Sequence, residues 1–177
     1  MNATNVLYRA RQFFMALRAT APSSEGLEKA RSVLTEEQMS VFGRLQPSEQ
    51  AHSLAVLGAL LEQGENNPDL LVAALLHDVG KLCHPLRLWE RVMIVISQLI
   101  FPRQLKKWGE GLPYGVKRPF VVAEQHPVWG AELVAEAGAS PLAVALVRRH
   151  QQALAPAANL SLEDRLLLAL QSADNQN

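Results

Sequence analysis

The chain predicts an all-α fold in a single domain, on three observations. Apolar residues recur at helical spacing along most of its length, and strand-like alternation is almost missing. Helix-start signals recur as well. Asn67-Pro68-Asp69 offers a cap, a proline at the first helical position and an acid in the first turn; Ser140-Pro141 repeats the cap–proline pair; Ser161 followed by Asp164 is a variant capping box. Finally, 177 residues, 49% hydrophobic and 19% charged, are enough for one domain to bury a real core.

In chain order the pattern predicts helices over roughly Asn5–Thr20, Glu36–Phe42, Ser48–Gln63, Pro68–Val79, Trp89–Trp108, Pro127–Ala137, Pro141–Leu154 and Ser161–Ala173. The first, with Phe13, Phe14 and Leu17, reads as a helix packed on the outside of the bundle. The helix from Pro68 is apolar on every side, Leu70 to Leu76 in succession, which places it in the middle of the core. The helix from Pro141 behaves in the same way through Leu142 to Val147. Residues 84–120 differ in character: Arg87, Arg91, Arg103, Lys106, Lys107, Lys117 and Arg118 stand against only Glu90 and Glu110. The layout expected is a helical extension over 1–46 and a main domain over 47–177, with a basic insertion at about 84–120 across one face.

Charge and cysteine content exclude more than they suggest. Lys plus Arg and Asp plus Glu both number 17, so no global field favours nucleic acid, and no nucleic-acid partner is expected. The single cysteine, Cys83, forms no internal disulfide, which is compatible with a reducing compartment. Arg9, Arg11 and Gln12 interrupt any signal-peptide core. The most apolar stretch, Val92 to Phe101, carries Ser97 and Gln98 and falls short of the ~20 residues that cross a bilayer. The expectation is a soluble, cytoplasmic chain.

The histidines are the informative residues. The buried helix from Pro68 runs into His77-Asp78, and the second apolar helix ends in Arg148-Arg149-His150. An imidazole or a carboxylate delivered by a wholly apolar stem is costly unless paired or metal-bound. His126 precedes Pro127 at the expected start of another helix, His52 lies within the helix from Ser48, and Asp174 closes the last one. Helical bundles build metal sites from side chains projected inward in this way. Neutral imidazole with carboxylate suits first-row transition ions better than Mg²⁺ or Ca²⁺.

The order His52, His77-Asp78, His126, His150, Asp174 resembles the HD superfamily of metal-dependent phosphohydrolases, in its binuclear H…HD…H…H…D form. Ala74-Leu75-Leu76-His77-Asp78-Val79-Gly80-Lys81 is similar to that family's AALLHDxGK segment, His126-Pro127-Val128-Trp129-Gly130-Ala131 to its HPxxGA segment, and Ser172-Ala173-Asp174 to its terminal AD. The resemblance spans Pro47 to Asn177, with a divergent middle. It implies that His52, His77, Asp78 and Asp174 hold one metal ion, and that Asp78 bridges to a second held by His126 and His150. The two divalent transition-metal ions, Mn or Fe before Co, Ni or Zn, would activate a bridging water and clamp phosphoryl oxygens. The activity implied is hydrolysis of a phosphoester or phosphoanhydride in a small, nucleotide-like substrate. The alternative is a metal-binding sensor or scaffold that regulates a partner without turnover. The segment after His150 is Gln151-Gln152-Ala153-Leu154 and no GYP occurs, so the sequence departs from the branch that cleaves cyclic dinucleotides.

Other residues have two readings each. Lys81, three residues after Asp78, shares its face if helical geometry persists and would bind substrate phosphate as a point charge. His84 either lines the substrate side or caps a helix end before Pro85. Arg148 and Arg149 either meet phosphate or are solvated residues suited to a last helical turn. Cys83 reads as a small buried hydrophobe rather than a nucleophile. The stretch Trp89–Lys107 reads first as an amphipathic helix covering the core, then as a phosphate-binding lid, and last as a peripheral contact with an anionic membrane.

Overall fold

A computed structural model describes residues 22–101, 104–154 and 159–177. Their regular structure is helical throughout: α1 (Ser24–Val33), α2 (Glu36–Gly43), α3 (Pro47–Glu62), α4 (Pro68–Leu76), α5 (Leu88–Ile100), α6 (Leu105–Trp108), α7 (Arg118–Glu136), α8 (Pro141–Arg149) and α9 (Leu162–Gln176), with 3-10 turns at Val79–Leu82 and Gly115–Lys117. The fold is all-α, as predicted. No helix among these residues is long and apolar enough to cross a membrane. The helix expected over Asn5–Thr20 lies outside the described residues.

The helix ends form where the local chemistry asks for them. Thr35 and Gln38 satisfy each other's backbone N–H groups at the start of α2. Asn67 accepts from the N–H groups of Asp69 and Leu70 at the start of α4. Ser140 accepts from Ala143 N while its hydroxyl donates to Asp69 Oδ1 at 2.5 Å, which ties the N-terminus of α8 to that of α4. Gly64 and Gly138, both at positive φ, close α3 and α7 with the paired backbone bonds of a Schellman motif.

The core surrounds α4. Leu70, Ala73, Ala74, Leu75 and Leu76 are fully buried, and α3, α8 and α9 pack around them. Ala30, Leu34, Phe42 and Leu45 from the segment before α3 belong to the same apolar cluster. The Val79–Leu82 turn then crosses α7 at backbone contact. A Cβ on Gly80 would overlap the His126 carbonyl oxygen and stand 2.6 Å from Gly130 N, so two glycines make this crossing.

Five elements differ from expectation. α1 is a mostly polar helix that buries only Ala30, so its periodicity is weak. The expected Trp89–Trp108 helix is broken at Phe101 (φ −130°, ψ 48°), because the residue before a proline, here Pro102, is driven out of the helical region. α7 starts at Arg118, nine residues ahead of Pro127, so His126 lies inside a helix rather than at its start. α4 and α8 stop at Leu76 and Arg149, each just before a histidine.

Candidate metal centre

Five helical segments deliver the six expected ligands to one place. His52 comes from α3, His77 and Asp78 from the end of α4, His126 from α7, His150 from the end of α8 and Asp174 from α9. His77 and His150 are the C-terminal cap residues of α4 and α8 and keep helical backbone angles. His77, Asp78, His126 and His150 are buried, while His52 and Asp174 remain partly open to solvent.

The polar atoms fall into two groups, each with its ligand-type atoms within 4.8 Å of one another: His52, His77 and Asp174, and Asp78, His126 and His150. In the first, His52 Nε2 is 2.9 Å from Asp174 Oδ1, and His77 Nε2 is 3.7 Å from the same oxygen. In the second, Asp78 Oδ1 lies 3.2 Å from His126 Nε2 and 4.0 Å from His150 Nε2. Asp78 joins the two, since its other oxygen is 3.5 Å from His77 Nε2.

Tautomers decide what this geometry can hold. The Nδ1 atoms of His77, His126 and His150 lie 3.0, 3.0 and 2.8 Å from the carbonyl oxygens of Ala74, Val122 and Val147. Each Nδ1 therefore carries the proton and donates it, which leaves each neutral ring with a bare Nε2 lone pair. These lone pairs converge on carboxylates, which only accept, and His77 Nε2 is buried with no hydrogen-bond partner. Acceptors facing acceptors are an arrangement that a cation between them relieves. A proton is a poor occupant: burial, reinforced by His77 and His126, lowers His150 to about 3, and burial likewise lowers His77. Burial pushes both aspartates up, yet other groups outweigh it. Lys81 above all holds Asp78 well below the usual range, and the hydrogen bond with His52 holds Asp174 at about 2. The buried, neutral His77 and His150 rings and the ionised Asp78 and Asp174, with the Nε2 atoms of His52 and His126 beside them, form a donor set that fits divalent transition ions.

Two cavities open on the centre. One, of about 210 Å³, is lined by His52, Asp78 and Asp174 together with Ser48, Glu49, Lys81, Arg91 and Gln151. The other, of about 260 Å³, runs between α5 and α7 along Leu86, Ile94, Val95, Val122 and Ala123, and shares Lys81, Arg91 and Gln151 with the first. Lys81 Nζ is 2.5 Å from Asp78 Oδ2. Arg91 binds Glu49 at 2.7 Å and Gln46 at 3.0 Å. The sequence offers Arg91 only within the phosphate-binding-lid reading of Trp89–Lys107, and its spacing gives no sign of Glu49 or of the apolar cavity. Gln151 was discoverable only as the neighbour of His150.

The remaining expected residues lie elsewhere. Arg149 is held by Glu163 and by Asp164, the latter at 2.7 Å, and Arg148 is exposed. The His84 ring packs edge-on against Trp129, 4.9 Å between centroids. Cys83 is exposed, not a buried hydrophobe, and burial of part of its surroundings raises its thiol pKa.

No curated protein and no solved structure matches the chain. The HD domain family matches residues 50–174, from just before His52 to Asp174 itself. With that span and a buried His/Asp cluster suited to divalent metal, the chain belongs to the HD-domain family, most of whose members are metal-dependent hydrolases.

Proposed function

We propose that the protein hydrolyses a phosphoester or phosphoanhydride bond in a small, nucleotide-like substrate, using two divalent transition-metal ions. The observation that carries the reading is the set of three buried imidazoles with Nδ1 committed to backbone carbonyls and Nε2 aimed at Asp78 and Asp174. His52, His77 and Asp174 would hold one ion, His126 and His150 the other, with Asp78 between them. When bound, such a pair supplies an activated water and neutralises charge on phosphoryl oxygens.

The chain's own residues divide the remaining work. The backbone carbonyls of Ala74, Val122 and Val147 fix ring orientation and tautomer. Lys81 and Arg91 place two positive charges on the wall shared by both cavities, where a phosphate would lie. The apolar walls from α5 and α7 receive the organic part of the substrate and exclude water from one side of it.

The test is phosphate release from a panel of nucleotides, dinucleoside polyphosphates and cyclic dinucleotides, with Mn²⁺, Fe²⁺ or Co²⁺ supplied. Metal-dependent turnover of a mononucleotide-sized substrate is expected. Metal binding without turnover across the panel would overturn hydrolysis and leave the sensor reading.

A further inference from the structure

The basic segment does not cover the core as an ordinary amphipathic helix would. Among the described residues of α5 the buried ones are Glu90 and Ser97, and the large apolar residues Leu88, Trp89, Ile96 and Ile100 are exposed, Ile100 by 61%. At about 3.6 residues per turn, Arg91, Ile94, Val95 and Gln98 form the row facing the cavity. The row Leu88–Val92–Ile96–Ile100 lies beside it, turned away from Glu90 and Ser97, which sit on the packed side. Glu90 is held there by Arg118 at 2.5 Å. The apolar stripe faces outward because the polar side of the helix is pinned inward.

Cations flank both ends of this stripe. Arg87 stands immediately before Leu88, and Lys117 adjoins the Arg118 that binds Glu90. At the other end, the Phe101 ring lies 5.7 Å from Trp108, which brings Lys106 and Lys107 on α6 alongside. All four are exposed and make no ion pair among the described residues, and Glu110 is the exposed acid of the segment. Tyr114 and Val116, close to Lys117 in the chain, are exposed apolar residues as well.

From this combination we infer that α5 and α6 dock on an anionic lipid surface, with the stripe inserted at the headgroup boundary and the cations against lipid phosphates. An outward helix with Trp and Tyr among basic residues is the chemistry of interfacial binding. Other occupants fit less well. Residues 1–21 carry Arg9, Arg11 and Arg18 and no acid, so they match the patch in sign. A second copy would set the same cations face to face. The cavity row neighbours the stripe on the same helix, so docking would hold the cavity mouth close to the bilayer.

The test uses the full chain and sedimentation with sucrose-loaded vesicles of phosphatidylcholine, alone or mixed with phosphatidylglycerol. Association with the mixed vesicles only is expected, weakening as salt is raised. A blue shift of tryptophan emission should accompany it and be reduced in Trp89→Phe. K106E/K107E should weaken partitioning by at least tenfold, at about fivefold per cation. I96S/I100S should weaken it by about tenfold. Both variants should keep wild-type circular dichroism and melting. No association with phosphatidylglycerol vesicles would overturn the inference. So would unchanged association of I96S/I100S, or a dimer in solution that I96S/I100S dissolves. Capture by polyglutamate that matches the vesicles and ignores I96S/I100S would replace the lipid with an acidic protein.

Discussion

The Nε2 atoms of His126 and His150 stand 3.2 Å apart, although each ring gives its Nδ1 proton to a carbonyl of its own helix. Two lone pairs at that separation repel unless they share a cation. His150→Ala should therefore remove one of two bound ions and leave the His52, His77 and Asp174 group able to hold the other. Metal content by mass spectrometry, with circular dichroism to confirm the fold, checks this. A variant that still binds as much metal as the wild type would show that His150 is no ligand.

Asp78 lies within 4.0 Å of three imidazole nitrogens and Lys81 Nζ. Asp78→Asn keeps the shape but removes the charge between the two groups. Phosphate release should drop to background while helix content stays. Turnover that survives this change would refute the proposed role of Asp78.

Lys81→Met should lower kcat/KM by about 10- to 100-fold, the worth of one hydrogen bond to a charged group, with Lys81→Arg restoring part of it. Equal kinetics for wild type and Lys81→Met would remove the phosphate-binding role.

The Gly80–Gly130 crossing gives a stability prediction. In Gly80→Ala the new methyl meets the backbone of His126 and Gly130, which cannot move aside as a side-chain tip can. Unfolding in urea should show a loss of about 3 kcal/mol, with weaker metal binding because His126 shares the displaced backbone. A loss below about 1 kcal/mol would show that α7 yields easily.

Glu90 sets a pH dependence. Burial pushes its carboxyl up, but the Arg118 hydrogen bond and the Arg87 N–H at 2.7 Å outweigh it and hold it below 4.5. A folded-state pKa below the unfolded one adds stability that is present above 4.5 and lost as pH falls through the folded value. Arg118→Met should cost about 3 kcal/mol near neutrality. It should also flatten the slope, since the carboxyl would lose the strongest interaction that lowers its pKa and keep only the Arg87 N–H and the Arg87 charge. Urea unfolding at neutral and acid pH reads both effects.

Much of the centre was legible in the sequence because its residues sit at chemically marked places. His77-Asp78 and His150 follow apolar stems, and burying polar groups there is costly without a purpose. His126 was legible as a site residue but not in its setting. Pro127 resembles a helix start, yet α7 runs through it, and the His126 carbonyl packs against Gly80. The placement of Arg91 was hidden because its partners, Gln46 and Glu49, lie more than forty residues away, and periodicity carries no information on such contacts. The outward turn of α5 was hidden for the same reason: it depends on Glu90 meeting Arg118 across 28 residues.

The central claim is that the inward-facing Nε2 atoms and the two aspartates form a dimetal centre. Metal analysis of the purified full chain, prepared without chelator and resupplied with Mn²⁺ or Fe²⁺, tests it most directly. The account predicts two ions per chain, falling to one or none in Asp78→Ala. A chain that stays metal-free after resupply, or an Asp78→Ala variant with unchanged metal content, would contradict it.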